Sequence, residues 1–177
     1  MNQRIVVAGN QELIDFVKSK FSSSVLETSN QFNQASVSVR KEHLLEILEC
    51  LRDDPVTQFD YLMDVCGVDY LEMGGIERFC VVYQLYSSQH NHRLRIKTYI
   101  SESDLTVDTV SPLWLSAEWA EREVYDMYGI KFNNHPDMRR ILNPDDFEGF
   151  PLRKEFPCEG IGFRENFKKV ERMTGLD

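Results

Sequence analysis

Positive charge is in short supply in this 177-residue chain: 20 Lys and Arg stand against 29 Asp and Glu, for a net charge of −9. A basic face is what phosphate backbones and anionic lipid surfaces require, so the balance argues against nucleic acid and membrane surfaces as partners. Long apolar runs are lacking as well, and none approaches the roughly 20 residues that cross a bilayer. The opening MNQRIVVAGNQELIDF has no basic stretch followed by a long apolar block, and its early Glu12 and Asp15 do not suit an organelle transit peptide. The expectation is a chain in the cytosol, or held peripherally on the cytosolic face of something larger.

The four cysteines, Cys50, Cys66, Cys80 and Cys158, lie far apart with no CxxC pair. Chelate spacing for zinc or an iron–sulphur cluster is therefore missing, and the thiols read as reduced, small core hydrophobes. Gly74 and Gly75 make a turn and not a phosphate loop, because neither GxGxxG nor GxxxxGK is present. There is no GxSxG, and no cysteine stands in a nucleophile's context.

What is present is ordinary for a folded globular protein, with 42% hydrophobic and 28% charged residues. Residues 3–8 read as a short strand. Asn10 then caps a helix with Leu13, Phe16, Val17 and Phe21 on one face. Residues 22–34 are polar and loop-like around a short strand at 25–27. Residues 35–40 alternate, with Val37 and Val39 on one side. Residues 41–52 carry Leu44, Ile47, Leu48 and Leu51 at helical spacing, ended by Asp53-Asp54-Pro55. The run 59–71 is read as a helical turn leading into a strand. Residues 78–86 and 93–100 form an antiparallel hairpin, and 100–114 hold a turn, a strand end and Pro112. From Ser116 the helical period returns through Ala117, Ala120, Val124, Met127 and Tyr128, with Glu118 and Arg122 paired, and Gly129 gives a left-handed exit. This pattern predicts an α+β fold: a small mixed or antiparallel sheet packed with helices over 1–132, then an extended irregular C-terminal arm over 133–177.

The core of that arm, HPDMRRILNPDDFEGFPLRKEFP at 135–157, holds four of the six prolines and nine charged side chains. It keeps no helical or strand period, yet it carries Met138, Ile141, Leu142, Phe147, Phe150, Leu152 and Phe156. So apolar an arm must lie on its own domain or on a partner. Arg139, Arg140, Arg153 and Lys154 suggest pairing with acids, either across an interface or internally with Asp145, Asp146 and Glu155.

Two clusters invite a metal reading. His90 and His92 have ligand-like spacing, but they fall in a hairpin loop without a third ligand, so a solvated loop is the better reading. Glu121, Glu123 and Asp126, with His135 and Asp137 beyond, could form a carboxylate–histidine site. Glu121 and Glu123 point different ways on a helix, however, and a solvated or ion-paired face is preferred.

The segments EREVYDMYGIKFNNHPDMRRIL (121–142) and EGFPLRKEFP (148–157) resemble the signature of the C-subunit family of the proton-pumping NADH:quinone oxidoreductase, respiratory complex I. The likeness extends upstream through FDYLMDVCGVDY, the hairpin and SPLWLSAEW, and so covers about residues 35–157. Tyr128, Phe150 and Glu155 stand where that family commonly has Phe, His and Asp. The resemblance implies a structural component of the peripheral arm with no catalytic, cofactor or metal residues of its own. The complex around it would use FMN, iron–sulphur clusters and quinone. It implies docking on the quinone-site D subunit and proximity to the B and I subunits, on the cytoplasmic side of the bacterial inner membrane. The motif residues expected at the interface are Glu121, Arg122, Glu123, Tyr125, Asp126, His135, Pro136, Arg139, Arg140, Pro151, Leu152, Arg153 and Lys154. Equivalent subunits of membrane-bound nickel–iron hydrogenases and of F420H2- or ferredoxin-using complexes share the pattern. A stand-alone metal enzyme using Asp126, His135 and Asp137 is the other alternative.

Overall fold

The computed structural model describes residues 9–74 and 76–161. The strand expected at 3–8 and the arm beyond 161 lie outside the described residues.

Helix α1 (Asn10–Lys20) starts one residue earlier than the capping logic suggests. Gly9 is its N-cap, and the Gly9 N–H donates to the Glu12 carboxylate at 3.0 Å. Asn10 does not cap; its side-chain amide donates instead to Asn33 O and Oδ1. Leu13, Ile14 and Val17 are buried, with Phe16 and Phe21 packed at the margin of the core.

The polar stretch read as loop-like at 22–34 is mostly sheet: β1 (Val25–Gln31) and β2 (Gln34–Val39) pair antiparallel around a two-residue turn at Phe32 and Asn33. β1 is an edge strand, so polar side chains such as Glu27, Asn30 and Gln31 stay wet while the backbone pairs with β2. A short 3-10 turn at Lys41–His43 leads into α2 (Leu44–Asp53), whose Leu44, Ile47, Leu48 and Leu51 are all buried. The helical turn expected early in 59–71 is absent. Residues Tyr61–Asp69 are one strand, β3, because the run, apart from a bulge at Met63, finds ladder partners on β4 (Phe79–Ser87). β4 pairs in turn with β5 (His92–Ile100), completing the predicted hairpin.

The main sheet has the order β1-β2-β5-β4-β3, and its β2–β5 pair is parallel, so it is mixed. Val37, Val39, Val81, Tyr83, Leu85, Leu94 and Ile96 point to the helix-covered side and form one core with α1 and α2. β6 (Thr106–Asp108) and β7 (Lys131–Asn133) make a separate parallel pair. Between them, α3 (Ala117–Tyr128) lies along edge strand β3: Ser116 Oγ donates to Leu62 O, and the Tyr128 ring lies over Gly67. A Cβ at Gly67 would sit 2.5 Å from that ring, so glycine is what allows the helix to approach.

The histidines expected in a solvated loop are buried instead, at 4% exposure for His90 and 5% for His92. Their rings stack at 5.3 Å, and their Nε2 atoms bond Pro55 O and Thr57 O. Burial lowers the pKa of His92. They tie the hairpin end to the loop after α2, a role that spacing alone does not reveal.

Candidate subunit interface

Helix α3 departs from simple amphipathic packing. Ala117, Val124 and Met127 are buried as the period demands, yet Glu121 and Asp126 are fully buried too. Of the solvated or ion-paired face expected here, Glu123 is exposed and Asp126 is ion-paired with Arg140, while the solvated reading fails for Glu121 and Asp126. A carboxylate out of water survives only when donors meet its oxygens, and these two are met in different ways.

Asp126 is met by the arm. Its Oδ2 accepts the backbone N–H groups of Ile141, Leu142 and Asn143 at 3.1, 2.8 and 2.8 Å. Its Oδ1 accepts Arg140 Nη1 at 2.7 Å and Asn143 Nδ2 at 3.0 Å. Burial alone would push this carboxyl up. The Asn143 N–H, the Arg140 guanidinium, the Asn143 amide and the Leu142 N–H outweigh it and hold the pKa down to about 2. Three successive amides turned onto one carboxylate make an anion-binding concavity from backbone.

Arg140 does more than pair with Asp126. It also donates to Phe147 O and Gly149 O, which folds the arm back around its guanidinium. Arg122, on α3, donates to Arg139 O at 3.0 Å and to Arg140 O at 2.9 Å. Arg140 therefore pairs with Asp126, and not with Asp145 or Asp146. Arg139 pairs with Asp137 at 2.6 Å in solvent, where an ion pair stabilises little.

The second half of the arm docks on the last residues of α3, just beyond Asp126, and on the β3 terminus. Leu152 N–H donates to Met127 O, and Arg153 Nε donates to Tyr128 O at 2.7 Å. The Arg153 guanidinium lies over the Phe79 and Phe150 rings, at 5.1 and 4.6 Å from their centroids. Gly129 exits the helix at φ +80°, and a Cβ there would meet the Phe150 ring at 2.7 Å and Arg153 Nη2 at 2.8 Å. Asp69 is the second buried anchor. It accepts from Leu71 N–H, from Arg78 Nε and Nη2, and from Lys154 N–H. Arg78 also bonds Glu102 and Glu155, so one guanidinium joins β3, the loop after β5 and the arm. Sequence reasoning misses both Asp69 and Arg78, because nothing in their local pattern marks a partner some 85 residues away.

Glu121 faces the opposite direction, accepting from Val110 N–H at 2.8 Å and from the Thr109 hydroxyl. Burial raises its pKa to about 7, against the lowering effect of those two donors. His135 Nε2 lies 3.9 Å from its carboxylate and donates to Glu118 O, while Nδ1 accepts from Asp137 N–H. That geometry assigns the proton to Nε2. The five groups weighed as a metal site are thus divided: Glu121 meets His135, Asp126 meets the arm, Asp137 meets Arg139, and Glu123 is exposed. Among the described residues no three His, Cys, Asp or Glu side chains are grouped to hold a metal ion.

The arm so fixed presents an outer surface. Trp119 on α3, Leu115 in the turn before it, and Leu142 and Leu152 on the arm are exposed large apolar side chains. Pro136, Arg139 and Lys154 are exposed beside them, while Tyr125 and Pro151 are half-buried. Among the described residues no helix is long and apolar enough to cross a membrane.

The chain is similar to known proteins. A family model described as "Respiratory-chain NADH dehydrogenase, 30 Kd subunit" matches residues 37–161, which takes in β3, β4 and β5 of the sheet, α3 and the arm. The chain is 44% identical over 162 residues to the C subunit of the NADH-quinone oxidoreductase of Citrifermentans bemidjiense, covering 92% of this chain and 98% of that one. It is 40% identical over 183 residues to the same subunit of Coxiella burnetii, covering 87% and 81%. Among solved structures it is similar to the trypsin-resistant fragment (1-134) of Nqo5, with a TM-score of 0.63 and 30% identity over 72% of this chain and 97% of that one. The fold also matches a chain from the membrane-bound sulfane sulfur reductase, an archaeal respiratory membrane complex, with a TM-score of 0.70 at 20% identity over 94% and 95% of the two chains.

Proposed function

Because this chain belongs to the family of the respiratory-chain NADH dehydrogenase 30 Kd subunit, we propose that it is the structural C subunit of an NADH-quinone oxidoreductase, holding electron-carrying neighbours in register without chemistry of its own. The complex is an oxidoreductase that would use FMN, iron–sulphur clusters and quinone, all carried by other chains. The proposed neighbours are the quinone-site D subunit as the main partner, with the B and I subunits nearby. The proposed place is the peripheral arm on the cytoplasmic side of the bacterial inner membrane.

The observation that carries this reading is the state of the arm. Two buried carboxylates, Asp126 and Asp69, hold it against α3 and β3 through the backbone amides of Ile141, Leu142, Asn143 and Lys154 and the Arg140 guanidinium. A strap already ordered before it meets its partner loses less conformational entropy on docking. The exposed Trp119, Leu142 and Leu152 offer apolar anchors, and Arg139 and Lys154 offer unburied cations around them. Glu121, Arg122, Asp126, His135, Arg140 and Arg153 act from behind, positioning that surface.

The test is purification of the intact complex from native membranes through a tag on this chain, with its subunits identified. Recovery of NADH-dependent quinone reduction together with a quinone-site subunit is the expected result. Recovery of the chain alone, or with hydrogenase or deazaflavin-dehydrogenase subunits, would replace the reading.

A further inference from the structure

A second surface lies at the opposite end of the sheet from the arm, on the face turned away from the core. Strand register puts Arg93, Arg95 and Lys97 of β5 side by side on that face, beside Tyr86 and Gln84 of β4 and Gln34 and Ser36 of β2. In a chain of net charge −9 these cations are conspicuous, and no salt bridge engages them among the described residues. Arg93 is exposed and lies over the Tyr86 ring. Arg95 is aimed from both sides: it donates to Gln34 Oε1 at 2.9 Å, and Gln84, in the amide orientation that satisfies both groups, accepts from its Nε at 2.9 Å. Neutral partners fix the guanidinium without cancelling its charge.

Beside these arginines stands an aromatic that the fold does not need. Phe32 occupies the first turn position between β1 and β2 at φ +54°, followed by Asn33 at +57°. Such turns favour Asn, Asp or Gly, whereas a bulky residue at positive φ is strained. Phe32 is nevertheless there, at 94% exposure, in a turn clamped by Asn10. With Met63, Asp64, Gln84, Arg93 and Arg95 it borders a groove of ≈ 820 Å³, in the size range of ligand clefts.

We propose that this groove docks an extended, carboxylate-bearing segment of a neighbouring protein chain, with its acids on Arg93 and Arg95 and apolar side chains against Phe32 on one side and Met63 on the other. Charge selects this occupant. Residues 1–8 of this chain, MNQRIVVA, contain no acid, and Asp64 at the far border of the groove steers a carboxylate towards β5. The inference rests on the reading that the chain is built into a complex, and it adds an attachment point separate from the arm.

The test places a photoreactive benzophenone amino acid at position 32 of the full-length chain and maps cross-links in the complex purified from membranes. The expected product joins this position to one Asp- or Glu-rich segment of another subunit. Arg93→Glu with Arg95→Glu should cut its yield roughly tenfold while the arm keeps the chain in the complex. Phe32→Asn, which suits positive φ, should leave the melting temperature of the chain equal or higher yet weaken retention of the neighbour. A strained residue kept only for folding would not show that divergence. A cross-link to an acid-free segment, to lipid or to this chain itself overturns the proposal, as does none at all in a complex that contains the chain. A chain found in no complex overturns the assembly reading and this one with it.

Discussion

Asp126 Oδ1 lies 2.7 Å from Arg140 Nη1, with the carboxylate fully buried and the guanidinium side chain only 14% exposed. The helix thus carries a charge into the protein, and among the described residues the arm supplies its counter-charge. Removing one member of such a pair leaves the other uncompensated, a loss of about 3 kcal/mol or more. Asp126→Asn should lower stability by roughly that amount in urea unfolding, and it should open the 135–157 segment to limited proteolysis. Unchanged protease resistance would mean that the Ile141–Asn143 amides hold the arm without the charge.

The two buried carboxylates of α3 also predict how stability depends on pH. The Asp126 pKa, about 2 in the fold, lies below its unfolded value near 4. Its contribution is present above pH 4 and is lost as the pH falls towards 2. Glu121 has the opposite sign: its folded pKa of about 7 lies above its unfolded value, so the folded state binds the extra proton. The contribution of Glu121 is fully present below about pH 4 and fades as the pH rises through 7, by at most roughly 3 kcal/mol. The combined contribution of these two groups should therefore peak at about pH 4 to 5 and decline on either side. Glu121→Gln should flatten the alkaline side only, as read from chemical unfolding across a pH series. A profile that stays just as steep above pH 5 in that variant would assign the slope elsewhere.

How far this is legible in the sequence follows from what each signal encodes. The α3 period, the α2 stripe and the β4–β5 hairpin are legible because burial repeats along the chain. Gly129 reads as a left-handed exit and stands at φ +80°. Glu121 and Asp126 mislead, because a polar residue in an amphipathic helix is ordinarily wet. What keeps these two dry is backbone N–H groups up to 17 residues away, and amides leave no mark in a side-chain pattern. His90 and His92 mislead for the same reason, their partners being the Pro55 and Thr57 carbonyls. The hairpin in 22–34 is hidden by polar side chains that an edge strand can keep in water.

Gly129 should tolerate no side chain. Its positive φ penalises any L-residue, and a Cβ would also press on Phe150 and on Arg153, whose guanidinium those contacts seat. Gly129→Ala should cost at least about 1–2 kcal/mol and should loosen the second half of the arm before the first. Hydrogen exchange provides the readout, with faster exchange expected at the Leu152 and Lys154 amides, which donate to Met127 O and Asp69. Equal loosening at Ile141–Asn143 would show that the two docking points unlatch together.

Arg139 separates folding from assembly, because among the described arginines of the arm it is the one whose side chain the fold does not use for its own packing. Its side chain is 74% exposed and its partner Asp137 is a solvated neighbour two residues away, whereas Arg140 beside it is committed to Asp126. A charge reversal at Arg140 would damage the fold and so could not report on docking. Arg139→Glu should change stability by less than about 0.5 kcal/mol. At a partner's surface the same change replaces an attraction with a repulsion, which costs association far more than folding. The expected outcome is an unchanged melting temperature for the isolated chain, with less of it retained in the purified complex as ionic strength falls and screening weakens. Full retention at low salt would show that the outer face of the arm around Arg139 meets no acidic partner, and the contact would then have to be sought at Trp119, Leu142 and Leu152.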